Sequence, residues 1–221
     1  VSVVVEIVVV TMVMWFATPP ARRARTAADL GIALPDENDR AEITWPGTPG
    51  TWLEHSPVLT WLVVGLGGGA VQKRLWRDFR DVTVTTVEPD PAVVDVAYRW
   101  FHLPRDARLP VVTDDGRRFL QRTDERFDVI MVDAFYSDGV PFHMTTLEFA
   151  QLLRDRLTPG GVVATNVIGA LTGGSSEITR ALWKTYAAVF PTVELHPVYE
   201  GPGDRYAGDI RNIILVGTER A

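Results

Sequence analysis

The sequence contains no cysteine, only four histidines and no long block of basic residues. The missing cysteine excludes a disulfide framework, a cysteine-ligated zinc and a thiol nucleophile. The histidines stand far apart along the chain, so no pair has metal-ligand spacing and no metal site is expected. With a formal net charge of −6, the chain also lacks the positive surface that binds phosphate backbones, and we expect no nucleic-acid partner.

The valine-rich opening is short for a membrane span, which needs about 20 apolar residues. Residues 1–16 are nearly all apolar, with Glu6 inside the run. Their β-branched content favours a buried strand or strand pair. The end of a membrane segment, suggested by the basic residues that follow, and a targeting signal are the alternatives. We expect a cytoplasmic protein without membrane contact.

Composition divides the chain near residue 58. Prolines and glycines punctuate residues 17–58, which predicts a loop-rich connector. A chain of 221 residues is long enough for one domain with a modest extension. We therefore predict an N-terminal strand and proline-rich connector over 1–58, followed by one folded domain over 59–221.

Short apolar runs alternate with helical segments throughout the second part. Strands are predicted over 60–65, 82–87, 109–113, 127–133, 162–167, 193–198 and 212–216. Helices are predicted over 70–79, 91–101, 116–122, 145–157 and 175–190, with residues 158–161 (TPGG) as a turn that ends the fourth. This alternation predicts an α/β fold, a doubly wound, mostly parallel sheet with helices on both faces, Rossmann-like in type.

Ligands of such sheets bind beyond the carboxyl ends of the strands, so the residues there are the candidate site. Gly65, Gly67 and Gly69 follow the first strand, where glycine permits a tight turn and close approach to a ligand. Glu88 ends the next strand, where a carboxylate can accept hydrogen bonds from both ribose hydroxyls. The alternative for the glycine loop is a purely structural turn, and the alternative for Glu88 is a charge at a helix N-terminus. Together, the loop and the acid predict nucleoside binding.

Further carboxylates follow the third and fourth strands. Asp115, before Gly116, is a candidate acceptor for an adenine amine, with Asp114 the better candidate for the helix cap. Asp133 ends the fourth strand, and Asp138 stands in the loop beyond it, where a turn acid is the alternative. The loop also holds Tyr136 and His143, candidate contacts for a cationic ligand. Two arginines, Arg117 and Arg118, are predicted to be solvated helix residues.

Four segments carry a family resemblance: GLGGG at 65–69, VEPDPAVVDVA at 87–97, DDGRRF at 114–119 and DVIMVDAF at 128–135. Together they resemble the core of the class I S-adenosylmethionine-dependent transferases and, more narrowly, the spermidine synthase (polyamine aminopropyltransferase) family. The resemblance implies a nucleoside-binding transferase domain of the class I methyltransferase type. It implies decarboxylated S-adenosylmethionine or S-adenosylmethionine as co-substrate, a small amine (polyamine) as acceptor, and a homodimer.

The resemblance also implies roles for single residues. The three loop glycines and Gly116 belong to the co-substrate site, Glu88 holds the ribose and Asp115 holds the adenine amine. Asp133 matches the catalytic aspartate of the family, and Asp138 matches, loosely, the aspartate that grips the amine. In this chemistry an amine attacks a carbon bonded to a sulfonium, and a carboxylate stabilises the charge that develops on nitrogen.

The chain departs from the family pattern at three places. Gly68 stands where the family carries an aspartate that meets the amine of the decarboxylated co-substrate. Asn166 begins a segment that holds a glutamine in the family, and residues 1–60 show no counterpart of the family's N-terminal β-hairpin domain. Methyl transfer to a small acceptor and non-catalytic nucleoside binding are therefore kept as alternatives to aminopropyl transfer.

Overall fold

The computed structural model describes residues 59–135, 139–198 and 207–219. The predicted N-terminal strand and connector lie outside these residues, so the division at residue 58 stays a prediction. Tyr136 and Asp138 also lie outside them. Within the described ranges, no helix is long and apolar enough to cross a membrane.

Strands and helices alternate along the described residues. The strands are β1 (Leu59–Val64), β2 (Val82–Glu88), β3 (Val111–Thr113), β4 (Phe127–Val132), β5 (Leu157–Gly169), β6 (Thr192–Pro197) and β7 (Arg211–Thr218). The α-helices are α1 (Ala70–Asp78), α2 (Pro91–Arg99), α3 (Gly116–Arg122), α4 (Leu147–Asp155) and α5 (Glu177–Ala187). Short 3-10 helices span Phe142–Met144 and Gly174–Ser176.

The strands form one sheet in the order β3-β2-β1-β4-β5-β7-β6. Strands β1 to β5 pair in parallel, and β7 runs antiparallel to both β5 and β6. The chain winds outward from β1 to β3 and then returns to the other side of β1 with β4. The carboxyl ends of β1 and β4 therefore flank a topological switch point, where ligands of this architecture bind.

Alternate residues of strand β1 point into two separate apolar cores. Leu62 and Val64 pack into one core with residues from α3, α4 and α5, among them Leu120, Phe149 and Leu182. Val63 packs into the other core with Leu75 of α1 and Ala97 of α2. Strand β1 is apolar along its length because both of its faces are buried. The predicted doubly wound sheet with helices on both faces is confirmed.

The predicted turn between α4 and β5 is wrong. Strand β5 begins at Leu157, which pairs with Phe127, and the next pairing joins Val162 to Val129. Residues 158–161 are therefore an irregularity inside the strand, with Gly160 at a φ of 80°. Proline and glycine are typical of such bulges as well as of turns, so their presence alone did not distinguish the two.

His102, just beyond α2, is the non-glycine residue with a positive φ in the described chain, at 53°. This conformation costs an L-residue roughly 1–2 kcal/mol, and more when the side chain is β-branched. We expect His102→Gly to raise the free energy of unfolding by about 0.5 kcal/mol, because glycine's greater unfolded-state entropy offsets part of the relief. His102→Val should lower it by about 1–2 kcal/mol. Equal stabilities in chemical denaturation would contradict this account.

Candidate active site

The predicted site residues that follow β1, β2 and β4, and that the structure describes, meet at one edge of the sheet because these strands are parallel and adjacent. The glycine loop follows β1, Glu88 ends β2, and Asp133 follows β4. The backbone N–H of Asp133 donates to the Val64 carbonyl at 2.9 Å, which joins the ends of β1 and β4 directly. The glycine loop and Asp133 therefore lie side by side at the carboxyl ends of the strands, where folds of this type have their ligand crevice.

The three alternating glycines of the loop all have positive φ: 104° at Gly65, 50° at Gly67 and 67° at Gly69. A Cβ at Gly65 would lie 2.3 Å from the Asp133 carbonyl oxygen, so the loop touches the backbone of the candidate catalytic residue. A Cβ at Gly67 would meet no atom of the described residues within 4 Å, so this part of the loop faces open space among them. The geometry suits a loop that a ligand approaches closely.

Glu88 is a buried carboxylate, 8% exposed, with a backbone donor on each oxygen. Leu66 donates its N–H to Oε2 at 3.0 Å, and Asp90 donates its N–H to Oε1 at 3.1 Å. Glu88 thus holds the glycine loop and the loop after β2 together. Each carboxylate oxygen has a second lone pair, which leaves acceptor capacity for two hydroxyl groups of a ligand.

Asp115, rather than Asp114, caps α3. Its Oδ1 accepts the backbone N–H of Arg118 at 2.9 Å, and its backbone is extended, as an N-cap requires. The prediction that Asp114 is the better cap candidate is wrong, because that side chain turns to the Arg118 guanidinium and to the N–H of Asp115. The hydrogen bond from Arg118 holds the pKa of Asp114 below its ordinary value.

His143 contacts Asp115. The sequence predicts that His143 binds the cationic acceptor and that Asp115 binds the adenine of the co-substrate, so the structure joins residues assigned to two different ligands. The imidazole Nε2 lies 2.9 Å from Asp115 Oδ2, and both side chains are partly exposed. Arg117 donates to the His143 carbonyl at 2.6 Å and to Thr146 Oγ1 at 3.2 Å. Arg117 is half-buried, so its predicted role as a solvated residue is wrong.

Gly116 is buried where α3 meets the sheet. A Cβ there would lie 2.3 Å from Val64 Cγ1 and 3.3 Å from Met144 Cε. The missing side chain lets the start of α3 pack directly against β1. Gly116 therefore has a clear packing role, and its contact with a co-substrate stays a prediction.

Asn166 is a functional candidate whose contact sequence reasoning missed. From β5, its Nδ2 donates to Asp133 Oδ1 at 2.8 Å, while its own Oδ1 is buried and has no hydrogen-bond partner among the described residues. An amide donor orients the carboxylate and stabilises its charged form. In the sequence, only the position of Asn166 near a strand end marks it as a candidate. Its contact with Asp133 depends on the register in which β4 and β5 pair, which the sequence does not show.

Phe101 covers the position where the family carries an aspartate. A Cβ at Gly68 would lie 3.0 Å from Phe101 Cδ1, so a larger residue requires the ring to move. Lys73 Nζ donates to the Phe101 carbonyl at 2.8 Å and lies 5.9 Å from the ring centroid. A cation therefore contacts the residue that covers Gly68, whereas the family pattern has an anion at position 68 itself.

In the part of the chain that the structure describes, no group of three or more histidine, aspartate or glutamate side chains is arranged to hold a metal ion. The described acidic residues of the crevice lie at or beyond the ends of different strands. Each described one is hydrogen-bonded to protein donors. The donor and acceptor groups fit an organic ligand with hydroxyl and amino groups.

Comparison with known proteins identifies the family of this chain. A family model described as the spermine/spermidine synthase domain matches residues 54–198. The probable polyamine aminopropyl transferase of Bifidobacterium longum is 34% identical over 151 residues, which cover 68% of this chain and 31% of that protein. The chain spans less than half the length of the curated relatives it matches.

Two solved structures share the fold. The probable spermidine synthase from Corynebacterium glutamicum has a TM-score of 0.67 and 23% identity, covering 77% of this chain and 60% of that one. Human methyltransferase-like protein 13, solved in complex with SAH, has a TM-score of 0.62 and 25% identity, covering 74% and 72%. With a Rossmann-like fold of the methyltransferase type and a family match across most of it, this chain belongs to the spermine/spermidine synthase domain family.

Proposed function

We propose that this chain is a transferase that moves an aminopropyl group from decarboxylated S-adenosylmethionine to a small amine. The observation that carries the proposal is Asp133, whose carboxylate is oriented by Asn166 at 2.8 Å and whose backbone carbonyl packs against Gly65 of the glycine loop. We place this carboxylate beside the amine and the reacting carbon of the co-substrate. Family membership and transferase relatives support the same reaction class.

In the proposed reaction, the nitrogen lone pair of the amine attacks the propyl carbon bonded to the sulfonium. The carbon–sulfur bond breaks, and its electron pair stays on sulfur, which leaves methylthioadenosine. The nitrogen gains positive charge and releases a proton. Asp133 stabilises that charge and accepts the proton, and positioning of the two reactants supplies the rest of the rate enhancement.

The strand-end geometry supports our assignment of the co-substrate contacts. We assign the ribose hydroxyls to the free lone pairs of Glu88 and the adenine amine to Asp115. The co-substrate tail is assigned to the loop at Gly65, Gly67 and Gly69. Asp138 and Tyr136 are proposed to bind the acceptor amine, although both lie outside the described residues.

Methyl transfer from S-adenosylmethionine is the second candidate, and Lys73 favours it. The two co-substrates differ in a carboxylate, which S-adenosylmethionine carries and the decarboxylated form lacks. A lysine bound to the carbonyl of Phe101, the residue whose ring covers Gly68, would attract that carboxylate, whereas an aspartate at position 68 would repel it. The likeness to human methyltransferase-like protein 13 supports the same alternative.

A product assay by mass spectrometry distinguishes the two candidates. The protein is incubated with a pool of diamines and either decarboxylated S-adenosylmethionine or S-adenosylmethionine. We expect methylthioadenosine and an amine heavier by one aminopropyl group in the first reaction. S-adenosylhomocysteine with a methylated amine in the second reaction, and no product in the first, would overturn aminopropyl transfer in favour of methyl transfer.

A further inference from the structure

We propose that His143 is a positioning residue for adenine recognition, which couples the loop after β4 to the nucleoside site. The inference rests on the proposed function, since it takes Asp115 as the acceptor of the adenine amine. It changes the role of His143 from an acceptor-substrate contact to a residue that acts through Asp115. Three observations carry the inference. Asp115 is held at both carboxylate oxygens, His143 is held by contacts of its backbone, and Asp115 Oδ2 can accept a second hydrogen bond.

The Asp115 carboxylate is held at both oxygens by different parts of the chain. Oδ1 accepts the Arg118 N–H at 2.9 Å, which is the helix cap, and Oδ2 lies 2.9 Å from His143 Nε2. One contact alone leaves the carboxylate free to rotate about its bond to Cβ, but two contacts on separate oxygens fix its plane. Oδ2 retains a second lone pair, so an adenine amino group can bind there without displacing the imidazole.

His143 is itself held by contacts that do not involve its ring. Arg117 binds its carbonyl oxygen at 2.6 Å, and the neighbouring Met144 is buried against the start of α3 beside Gly116. The 3-10 helix Phe142–Met144 therefore stays docked when the imidazole is removed. A variant that lacks the ring should lose the contact with Asp115 and keep the fold.

The geometry also specifies which nucleoside should respond. A fixed carboxylate accepts a hydrogen bond from the 6-amino group of adenine, whereas the 6-oxo group of hypoxanthine has no proton to donate and repels the carboxylate. Loss of His143 should therefore weaken binding of an adenine nucleoside and have little effect on its hypoxanthine analogue. A residue that only supported the fold would affect both nucleosides equally.

The test is calorimetric titration of methylthioadenosine and methylthioinosine into the wild-type protein, His143→Ala and His143→Gln. For methylthioadenosine we expect the alanine variant to raise Kd by about 5- to 10-fold, the scale of the net contribution of one hydrogen bond. The glutamine variant, which restores an N–H donor, should return Kd to within about twofold of wild type. Methylthioinosine should bind all three proteins with Kd values within about twofold of one another.

The chain provides a matched control in His196, whose Nε2 lies 2.9 Å from Glu194 Oε2 on strand β6. This pair has the same chemistry and is exposed, but it is outside the crevice. His196→Ala should leave both Kd values unchanged. If His143→Ala binds methylthioadenosine as tightly as the wild type or more tightly, the role of His143 is wrong and the proposed function still stands. If the wild-type protein binds neither nucleoside, both the role of His143 and the proposed function are wrong.

Discussion

Replacing Asp133 by asparagine is expected to lower kcat by about 10²- to 10⁴-fold, the usual contribution of a positioned acid–base group. The amide is nearly the same size, but it has no negative charge to stabilise the developing ammonium and cannot accept its proton. Because the ribose and adenine contacts are assigned to other residues, Kd for methylthioadenosine should stay within about twofold of wild type. Steady-state kinetics and calorimetry measure the two quantities separately.

Two further variants sharpen this prediction. Asp155→Asn removes an exposed carboxylate at the end of α4, paired with Arg154, and should leave kcat unchanged. Asn166→Ala keeps the Asp133 carboxylate but removes the side-chain amide that donates to it. The kcat of this variant should therefore fall between those of the wild type and Asp133→Asn. A fully active Asp133→Asn enzyme would refute the catalytic assignment.

Replacing Glu88 by alanine is expected to weaken methylthioadenosine binding by roughly 1–3 kcal/mol, or about 5- to 150-fold in Kd. The substitution removes the proposed ribose acceptor. It also leaves the backbone N–H groups of Leu66 and Asp90 without their carboxylate, so the glycine loop loses its support. The same loss should lower the free energy of unfolding by about 1–3 kcal/mol.

Ligand-dependent stabilisation separates the two effects of Glu88→Ala. At a saturating concentration of methylthioadenosine, the rise in thermal midpoint reports affinity for the folded state. That rise should be large for wild type and for Glu125→Ala, a control at an exposed loop residue, and small for Glu88→Ala. A variant that is less stable but retains the wild-type Kd would restrict Glu88 to a structural role.

The parts of the site that were predictable are those which depend on the order of strands and on local chemistry. Parallel strands have their carboxyl ends at one edge, so Glu88 and Asp133 were expected in one crevice from their positions after apolar runs. The glycine loop was expected to make a tight turn, and all three of its alternating glycines have a positive φ, which glycine adopts at low cost.

The parts that were missed depend on contacts between residues distant in sequence. Arg117 binds the carbonyl of His143 from 26 positions away, and Asn166 binds Asp133 from 33 positions away. Such pairs are set by how α3, β4 and β5 pack, and neither composition nor periodicity encodes them. Asp114 and Asp115 are both competent caps, and the choice between them came from the Arg118 side chain, which draws Asp114 away.

The most direct test of the whole account is a crystal structure of this chain with methylthioadenosine. We predict the nucleoside at the carboxyl ends of β1, β2 and β4, with both ribose hydroxyls on Glu88, the adenine amine on Asp115 Oδ2 beside His143, and the sulfur facing Asp133. A nucleoside bound elsewhere, or one whose ribose and adenine contact neither carboxylate, would contradict the account.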